Sequence, residues 1–472
     1  MKTVLHTVPL VLAGLLLSAC SLAPTYVRPA SPVAADWPAP AGIAANGQAA
    51  HDIRWQDFFQ DEKLKQVIAI ALEHNRDLRV ATLNIERARA LYQVQSADRL
   101  PTLNAGLSGA RQRLPDSVAP GGRGGVNSSY TAGVGVTAFE LDLFGSVRNL
   151  SQAALERYAA TEEAQRAAQI SLVAEVASVY EAVLADERLL ALSQQTLASR
   201  TESHQRQIAM RQQGASSEYD LRQSESLLQA ARAAQAQASR QRALDENALT
   251  VLAGRPLPPE LLPAQGASWD SKAMAELPAG LPSELLTSRP DIRRQEALLR
   301  AANANIGVAR AAFFPRITLT GAFGSSSDEL SGLFDAGSRS WSFLPQISLP
   351  IFDGGRNRAN LNVARADKDI AIAQYDKAIQ VAFREVADAL AGRATLGEEL
   401  DAVKAQESAE QVRYDLARQR YDAGQSSYLE YLDAQRSLFS AQQQTIRTNL
   451  AELQNRIVLY KALGGGWRGG AA

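Results

Sequence analysis

The chain has 472 residues, with 49 Lys and Arg against 50 Asp and Glu and a formal net charge of −1. A nucleic-acid-binding surface needs a basic excess, so nucleic acid is not expected as a partner. The single cysteine excludes an intramolecular disulfide and a cysteine zinc cluster, and four histidines and three methionines leave little for a transition-metal site. We therefore expect neither a metal nor a cofactor.

The N-terminus has the features of a secretion signal. A positive start at Lys2 precedes an apolar run over 8–17, which is too short to span a bilayer. The following Leu-Ser-Ala-Cys sequence resembles the lipobox of bacterial lipoproteins, which implies a signal peptide over 1–19 and lipidation of Cys20. Because Ser21 follows instead of the Asp that usually retains lipoproteins at the inner membrane, the resemblance indicates an outer-membrane anchor. A buried apolar cysteine at a helix end is the alternative.

Residues 20–60 are rich in Pro and Ala, which is typical of an extended tether. After the signal, no stretch of 18 consecutive apolar residues follows, so the sequence predicts no later transmembrane helix.

Beyond the tether, the sequence is an internal duplication. Corresponding positions are Asp77 and Asp291, Pro101 and Pro315, and Gly214 and Gly424, which lie 214, 214 and 210 residues apart. The nearly constant spacing predicts a repeat over 61–254, a linker over 255–280, a second repeat over 281–463 and a tail over 464–472.

Each repeat predicts the same elements in the same order: a helix, a β-hairpin and two long helices. Apolar residues alternate with small or polar ones over about ten residues per strand, the pattern of transmembrane β-strands, with exposed loops near 112–128 and 326–339. Proline is absent from the segments after the hairpins, and a helix of that length reaches about 100 Å at 1.5 Å per residue. The predicted hairpins span about 102–142 and 316–351, and the predicted long helices span 146–213, 218–253, 354–423 and 427–462.

Four strands cannot close a barrel, and an open sheet edge is not tolerated in lipid. The chain must therefore oligomerise, and three copies would supply a twelve-stranded barrel. The long helices carry narrow apolar seams, which favour coiled-coil packing with water on both faces, as in a hollow helical cylinder.

Four motifs along the chain resemble those of the outer membrane factor (TolC-like) family, and most closely the OprM/NodT-type lipoproteins of RND multidrug efflux systems. These are ELDLFG at 140–145, AFFP at 312–315, YLDAQR at 431–436 and YKALGGGW at 460–467. The resemblance covers the whole chain. It implies a mainly α protein with membrane β-structure, namely a homotrimer with a twelve-stranded outer-membrane β-barrel and a long periplasmic α-helical barrel.

The resemblance also implies a function and partners. It predicts a Gram-negative outer-membrane channel that contributes to antibiotic resistance as a passive exit duct, working with a periplasmic adaptor and an inner-membrane RND pump. The sequence contains no catalytic constellation, and we do not expect an enzyme. Type I protein secretion and a non-channel envelope scaffold lipoprotein are the alternatives.

Two acids lie where the second pair of long helices turns back. Glu430 and Asp433 are three residues apart and share a helix face, so a threefold assembly would bring six carboxylates to one axis. Such a ring would attract cations and raise its own pKa values. In the family that the sequence resembles, the matching acids form the constricted periplasmic entrance.

The resemblance assigns gate-closing contacts to Asp220 and Tyr421, while an arginine that often joins them is replaced here by Ser426. Gly214 and Gly424 are predicted to end the two long helices. The competing interpretation is helix capping, because Ser427 precedes Glu430, and Ser217 precedes Asp220, by the three residues of a capping box.

Overall fold

The computed structural model describes residues 21–34, 52–118, 121, 124–263, 274–277 and 289–466. Cys20 and the predicted signal peptide lie outside this range, as does half of the segment predicted as a linker. The chain divides into two compact units. Unit 1 comprises residues 1–30, 85–161 and 295–375, and unit 2 comprises residues 31–84, 162–294 and 376–472.

Helices dominate the described part of the chain. They are α1 (Trp55–Phe58), α2 (Glu62–His74), α3 (Arg76–Ala97), α4 (Ser146–Gln212), α5 (Glu218–Ala253), α6 (Pro290–Ala311), α7 (Arg356–Asp422) and α8 (Tyr428–Ala462). The strands are β1 (Leu103–Leu114), β2 (Gly125–Glu140), β3 (Arg316–Ser327) and β4 (Arg339–Ser348). Both α4 and α7 run for 67 residues. Proline, which would break or kink such a helix, is absent from both.

In unit 1 the four strands form one antiparallel sheet in the order β1-β2-β3-β4. The register places the predicted apolar residues opposite one another, with Val134 paired to Phe323 and Phe323 paired to Trp341. One bulge between Val136 and Phe139 keeps this face continuous. The predicted alternation is therefore confirmed. β1 and β2 are longer than expected, because they extend into the segment predicted as a loop, whereas β4 ends at Ser348, three residues before the predicted end of the second hairpin.

The opposite face of the sheet carries small and hydroxyl side chains. Gly133 pairs with Gly106 on one side and Gly324 on the other. The hydroxyls of Ser108 and Thr131, which are also paired, lie 2.6 Å apart. One face is thus apolar and the other is polar, as a strand between lipid and water requires.

The residues after the predicted lipidation site do not form a free tether but pack in unit 1 through a buried carboxylate. Glu296 is 5% exposed and accepts hydrogen bonds from Arg28 at 2.8 and 2.9 Å, from the Tyr26 hydroxyl at 3.0 Å and from Arg300 at 2.9 Å. These bonds lower the pKa of Glu296 despite its burial, which acts in the opposite direction. A buried charge with three partners holds this segment against α6.

The prediction of a tether through residue 60 is also wrong at its end, in unit 2. Phe58 and Phe59 are fully buried, and Phe58 stacks on Tyr460 with ring centroids 4.1 Å apart. The Tyr460 hydroxyl donates to the Ile53 carbonyl at 2.7 Å. Aromatic residues gain so much from burial that these two fix the segment in spite of its neighbouring prolines.

Among the described residues, one helix is long and apolar enough to cross a membrane by length and composition alone, namely α4. In its most apolar window, 56% of the residues are buried within the chain. A core helix of a soluble domain has the same composition, so this single helix is weak support for a membrane span.

Candidate functional site at the two helix turns

Unit 2 contains two reversals of the chain with the same backbone design. At the first, between α4 and α5, Gly214 has φ +74° and donates to the Arg211 carbonyl at 3.1 Å, while Ala215 donates to the Met210 carbonyl at 2.8 Å. At the second, between α7 and α8, Gly424 has φ +68° and makes the equivalent bond to Tyr421 at 2.9 Å. This pattern is a Schellman motif, in which glycine adopts the left-handed conformation without a side-chain clash.

Each returning helix begins with a serine cap. The Ser217 hydroxyl accepts a hydrogen bond from the Asp220 amide at 3.1 Å, and the Ser427 hydroxyl accepts one from the Glu430 amide at 3.2 Å. The capping interpretation thus holds for both serines. The two acids differ, however, because the Ser217 hydroxyl also donates to the Asp220 carboxylate at 2.6 Å, whereas the Glu430 carboxylate bonds elsewhere.

The acids of the second turn pair with arginines that the sequence did not single out. Glu430 accepts a hydrogen bond from Arg420 at 2.7 Å, which joins the last turn of α7 to the first turn of α8. Asp433 accepts bonds from Arg413 and from Arg436, each at 2.6 Å. Within one chain the acidic pair is therefore balanced by three guanidinium groups.

Within one chain this pairing acts against the rise in pKa expected for Asp433 in a ring of carboxylates. The hydrogen bond from Arg413, followed by that from Arg436, lowers the pKa of Asp433 below its usual value of 3.8, while the effect of the assembled ring stays a prediction. Both bonds favour the charged carboxylate. The signal in the sequence was Arg436, three residues after Asp433 on the same helix face. The approach of Arg413 from the preceding helix depends on how the two helices pack.

Tyr421 is linked to the first turn through Gln207 and not directly through Asp220. Gln207 is 2% exposed, donates to the Tyr421 hydroxyl at 3.2 Å and accepts a hydrogen bond from the Ser216 hydroxyl at 2.7 Å. Burial raises the pKa of Tyr421, and the charge of Asp220 adds to the rise. Asp220 is therefore near enough to act through its field, but the hydrogen-bonded bridge is Ser216–Gln207–Tyr421.

A cleft of about 400 Å³ opens beside this bridge, between α4, α7 and α8. Gln207 and Ser426 line the cleft together with four tyrosines, which are Tyr414, Tyr421, Tyr428 and Tyr431. The rings of Tyr421 and Tyr431 stack with centroids 5.5 Å apart, and the Tyr428 hydroxyl lies 2.9 Å from that of Ser203. The side chain of Ser426 thus lines a tyrosine-rich wall at the position where the family resemblance expects an arginine.

Among the described residues, no cluster of three or more His, Cys, Asp and Glu could hold a metal ion. What the site offers is two helix reversals, a bridge of hydrogen bonds between them and a set of exposed acid–arginine pairs. Exposed ion pairs of this kind are individually weak.

A two-repeat chain with an amphipathic four-stranded sheet and 67-residue helices is the architecture of an outer-membrane channel subunit. The family model described as outer membrane efflux protein matches residues 67–255 and 281–465. The chain therefore belongs to the outer membrane efflux protein family.

Individual relatives agree over nearly the full length. The chain is 49% identical to the solvent efflux pump outer membrane protein SrpC of Pseudomonas putida, over 96% of this chain and 97% of that protein. It is 48% identical to outer membrane protein OprJ of Pseudomonas aeruginosa, over 97% and 95% of the two chains.

Solved structures agree as well. A crystal structure of a membrane protein from Pseudomonas aeruginosa matches with a TM-score of 0.90 and 47% identity, over 96% of this chain and 99% of that one. The open state of the Neisseria gonorrhoeae MtrE outer membrane channel matches with a TM-score of 0.83 and 40% identity, over 95% and 99%.

Proposed function

We propose that this protein is the outer-membrane channel of a tripartite RND-type multidrug efflux system, a passive exit duct and not an enzyme. The observation that carries the proposal is the sheet with two open edges, β1 and β4, and one continuous apolar face. Open edges in lipid require partner strands, and three copies supply twelve. The efflux names of relatives that are nearly half identical support the same function.

In this proposal the two helix turns form the periplasmic gate. Glu430 and Asp433 line the constriction, Asp220 and Tyr421 belong to the contacts that hold it closed, and Gly214 and Gly424 shape the turns. The gate opens when a periplasmic adaptor docks and the exposed acid–arginine pairs separate. The inner-membrane pump supplies the energy, because a wide polar duct has no means of driving transport itself.

The test of the channel combines two measurements on the full chain. Expression in a strain that lacks its own efflux channel should restore resistance together with a cognate adaptor and pump. The purified protein should be trimeric and should conduct ions in planar bilayers. A monomeric, non-conducting protein would contradict the channel and favour a scaffold, while protein export without drug resistance would favour type I secretion.

The test of the gate is the neutral substitution of one acid. If Glu430 lines the pore, Glu430→Gln lowers cation selectivity and weakens block by multivalent cations. If Glu430 only occupies a capping position, conductance and selectivity stay unchanged. The Glu218→Gln variant is the matched control, because Glu218 has the same ion-pair chemistry at the first turn.

Lipid anchoring through Cys20 is part of the proposal, supported by the lipobox-like sequence and by the position of the mature N-terminus. Residues 21–28 pack in unit 1, which contains the four-stranded sheet. The Ser21 hydroxyl donates to the Asn149 side chain at 3.0 Å, and Asn149 lies in the first turn of α4, shortly after the end of β2. Mass spectrometry of the N-terminal peptide should find an acylated Cys20 in wild type. An unprocessed or unmodified N-terminus would contradict the anchor.

A further inference from the structure

The apolar face of the sheet ends in arginines on one side only. Along β1, Leu103, Leu107, Arg111 and Arg113 lie at odd positions and share a face, because side chains alternate along a strand. On β4, Arg339 lies on the same face as Trp341. All three arginines are exposed and stand at the ends of the strands that lead into the hairpin loops.

No acid of the described residues neutralises these arginines. None of the three takes part in an ion pair or a side-chain hydrogen bond within the described part of the chain. The positions between them on the same face of β2 and β3 are neutral, namely Ser128, Tyr130 and Ser325. Three guanidinium groups without an ion-pair partner among the described residues therefore border the apolar surface on its loop side.

The other end of this face carries no charge. There the same register aligns Leu103 with Val136 and Ile317 with Ile347. The charged residues of that end, Arg316 and Glu140, belong to the opposite face and pair with each other at 2.6 Å. The positive charge is thus confined to the loop side, and an apolar band on the order of 25 Å tall would place it at the headgroups of the leaflet that faces the loops.

We propose that Arg111, Arg113 and Arg339 form a binding site for the phosphate groups of a phosphorylated lipid in the leaflet that faces the loops. Guanidinium groups bind phosphate oxygens in pairs of parallel hydrogen bonds, and an apolar surface directly below them accommodates acyl chains. A phosphorylated lipid satisfies both features, whereas free phosphate satisfies only the first.

This inference rests on the proposed function, because the three arginines come together only when neighbouring subunits close the barrel. β1 and β4 are the two edges of the sheet, so closure brings β1 of one subunit beside β4 of the next. Arg111 and Arg113 then share a seam with Arg339 of the partner subunit, and the lipid would bridge two subunits at each of three seams. A lipid bound at this seam would stabilise the contact between two neighbouring subunits of the barrel.

The experiment measures lipid binding to the purified full-chain protein by native mass spectrometry. The probes are lipid A with two phosphates, the same lipid after removal of its phosphates, and phosphatidylcholine. Because a basic residue near anionic lipid contributes about 1 kcal/mol, the triple variant R111Q/R113Q/R339Q should lose on the order of 100-fold in affinity for the bisphosphorylated lipid. Binding of the two other lipids should not change.

Two further variants make the outcome decisive. R111K/R113K/R339K keeps the charge but not the paired hydrogen bonds, so its affinity should lie between those of wild type and the glutamine variant, which distinguishes loss of charge from misfolding. R87Q/R89Q/R358Q removes three exposed arginines from helices of the same unit and should bind as wild type does. The R113Q variant alone should lose about 5-fold in affinity for the bisphosphorylated lipid.

Equal wild-type affinity for phosphorylated and dephosphorylated lipid would overturn the site, as would an unchanged triple variant. Displacement of the lipid by millimolar inorganic phosphate would assign the chemistry to free phosphate instead. Size and conductance of the same preparation separate this inference from the proposed function. A conducting trimer without phosphate preference refutes only the lipid site, whereas a non-conducting monomer refutes the channel.

Discussion

The two helix turns have one backbone and two electrostatic designs. Gly214 and Gly424 differ by only a few degrees in φ, make the same hydrogen bonds and are followed by a serine cap. At the first turn, however, the Asp220 carboxylate bonds to its own cap, whereas at the second the Glu430 carboxylate reaches back to Arg420. The turn geometry is set by the backbone, which tolerates few residues. The exposed side chains are free to differ, and any functional difference that we propose between the turns rests on them.

The largest expected effect comes from breaking the bridge between the turns. Gln207→Ala removes the donor to Tyr421 and the acceptor for Ser216, two hydrogen bonds of half-buried hydroxyls that contribute about 0.5–1.5 kcal/mol each. The variant should have a lower free energy of unfolding and a higher bilayer conductance, measured by denaturant titration and single-channel recording. Gln213→Ala at an exposed position of the first turn is the control. Equal behaviour of the two variants would remove Gln207 from the gate.

The glycines test what the turns share. Alanine at Gly214 or Gly424 must adopt the left-handed conformation, at a cost of about 1–2 kcal/mol. The two variants should lose the same stability in denaturant titration, because the two turns have the same backbone. Gly397→Ala, at an exposed helical position in α7, should instead gain about 0.5–1 kcal/mol. A stable G424A variant beside a destabilised G214A variant would show that the turns are not equivalent.

These variants also separate what the sequence predicts from what it does not. The glycine turns, the serine caps and the alternating strands follow from local rules, in which a residue and its neighbours three or four positions away determine the structure. Gln207 and Arg413 could not be found in this way, because their partners lie 214 and 20 residues away and meet them only through helix packing. The sequence does not predict the burial of Phe58 for a related reason. The segment 20–60 is rich in proline and alanine, which indicates a tether, and the stacking partner Tyr460 lies about 400 residues away along the chain.

A smaller effect should distinguish the charges of the two turns. Arg420→Gln breaks a 2.7 Å pair with Glu430, and Arg211→Gln breaks a 3.4 Å pair with Glu218. Exposed pairs of this kind contribute about 0.2–1 kcal/mol, so stability should change little in either variant. If Glu430 faces the pore, R420Q unmasks its charge and raises cation selectivity, measured as a reversal potential, whereas R211Q does not. Addition of Glu430→Gln should cancel the rise, and a selectivity change of the same size in R211Q would contradict the distinction.

The smallest expected effect is a pH dependence that stays absent until the pairs are removed. Arg413 and Arg436 hold the pKa of Asp433 below its usual 3.8. A carboxyl with a lowered pKa stabilises the folded state above its ordinary pKa, and that contribution is lost as the pH falls through the lowered value. Titration of Asp433 should therefore not change the cation selectivity of the wild-type protein between pH 7 and pH 5.

In the R413Q/R436Q variant the pKa of Asp433 returns toward or above its usual value, so the loss of cation selectivity should begin at a higher pH than in wild type. Asp433→Asn in the same background should abolish this shift. A wild-type titration between pH 7 and pH 5 that Asp433→Asn removes would show that the carboxylates of the assembled ring repel one another more strongly than their arginines stabilise them.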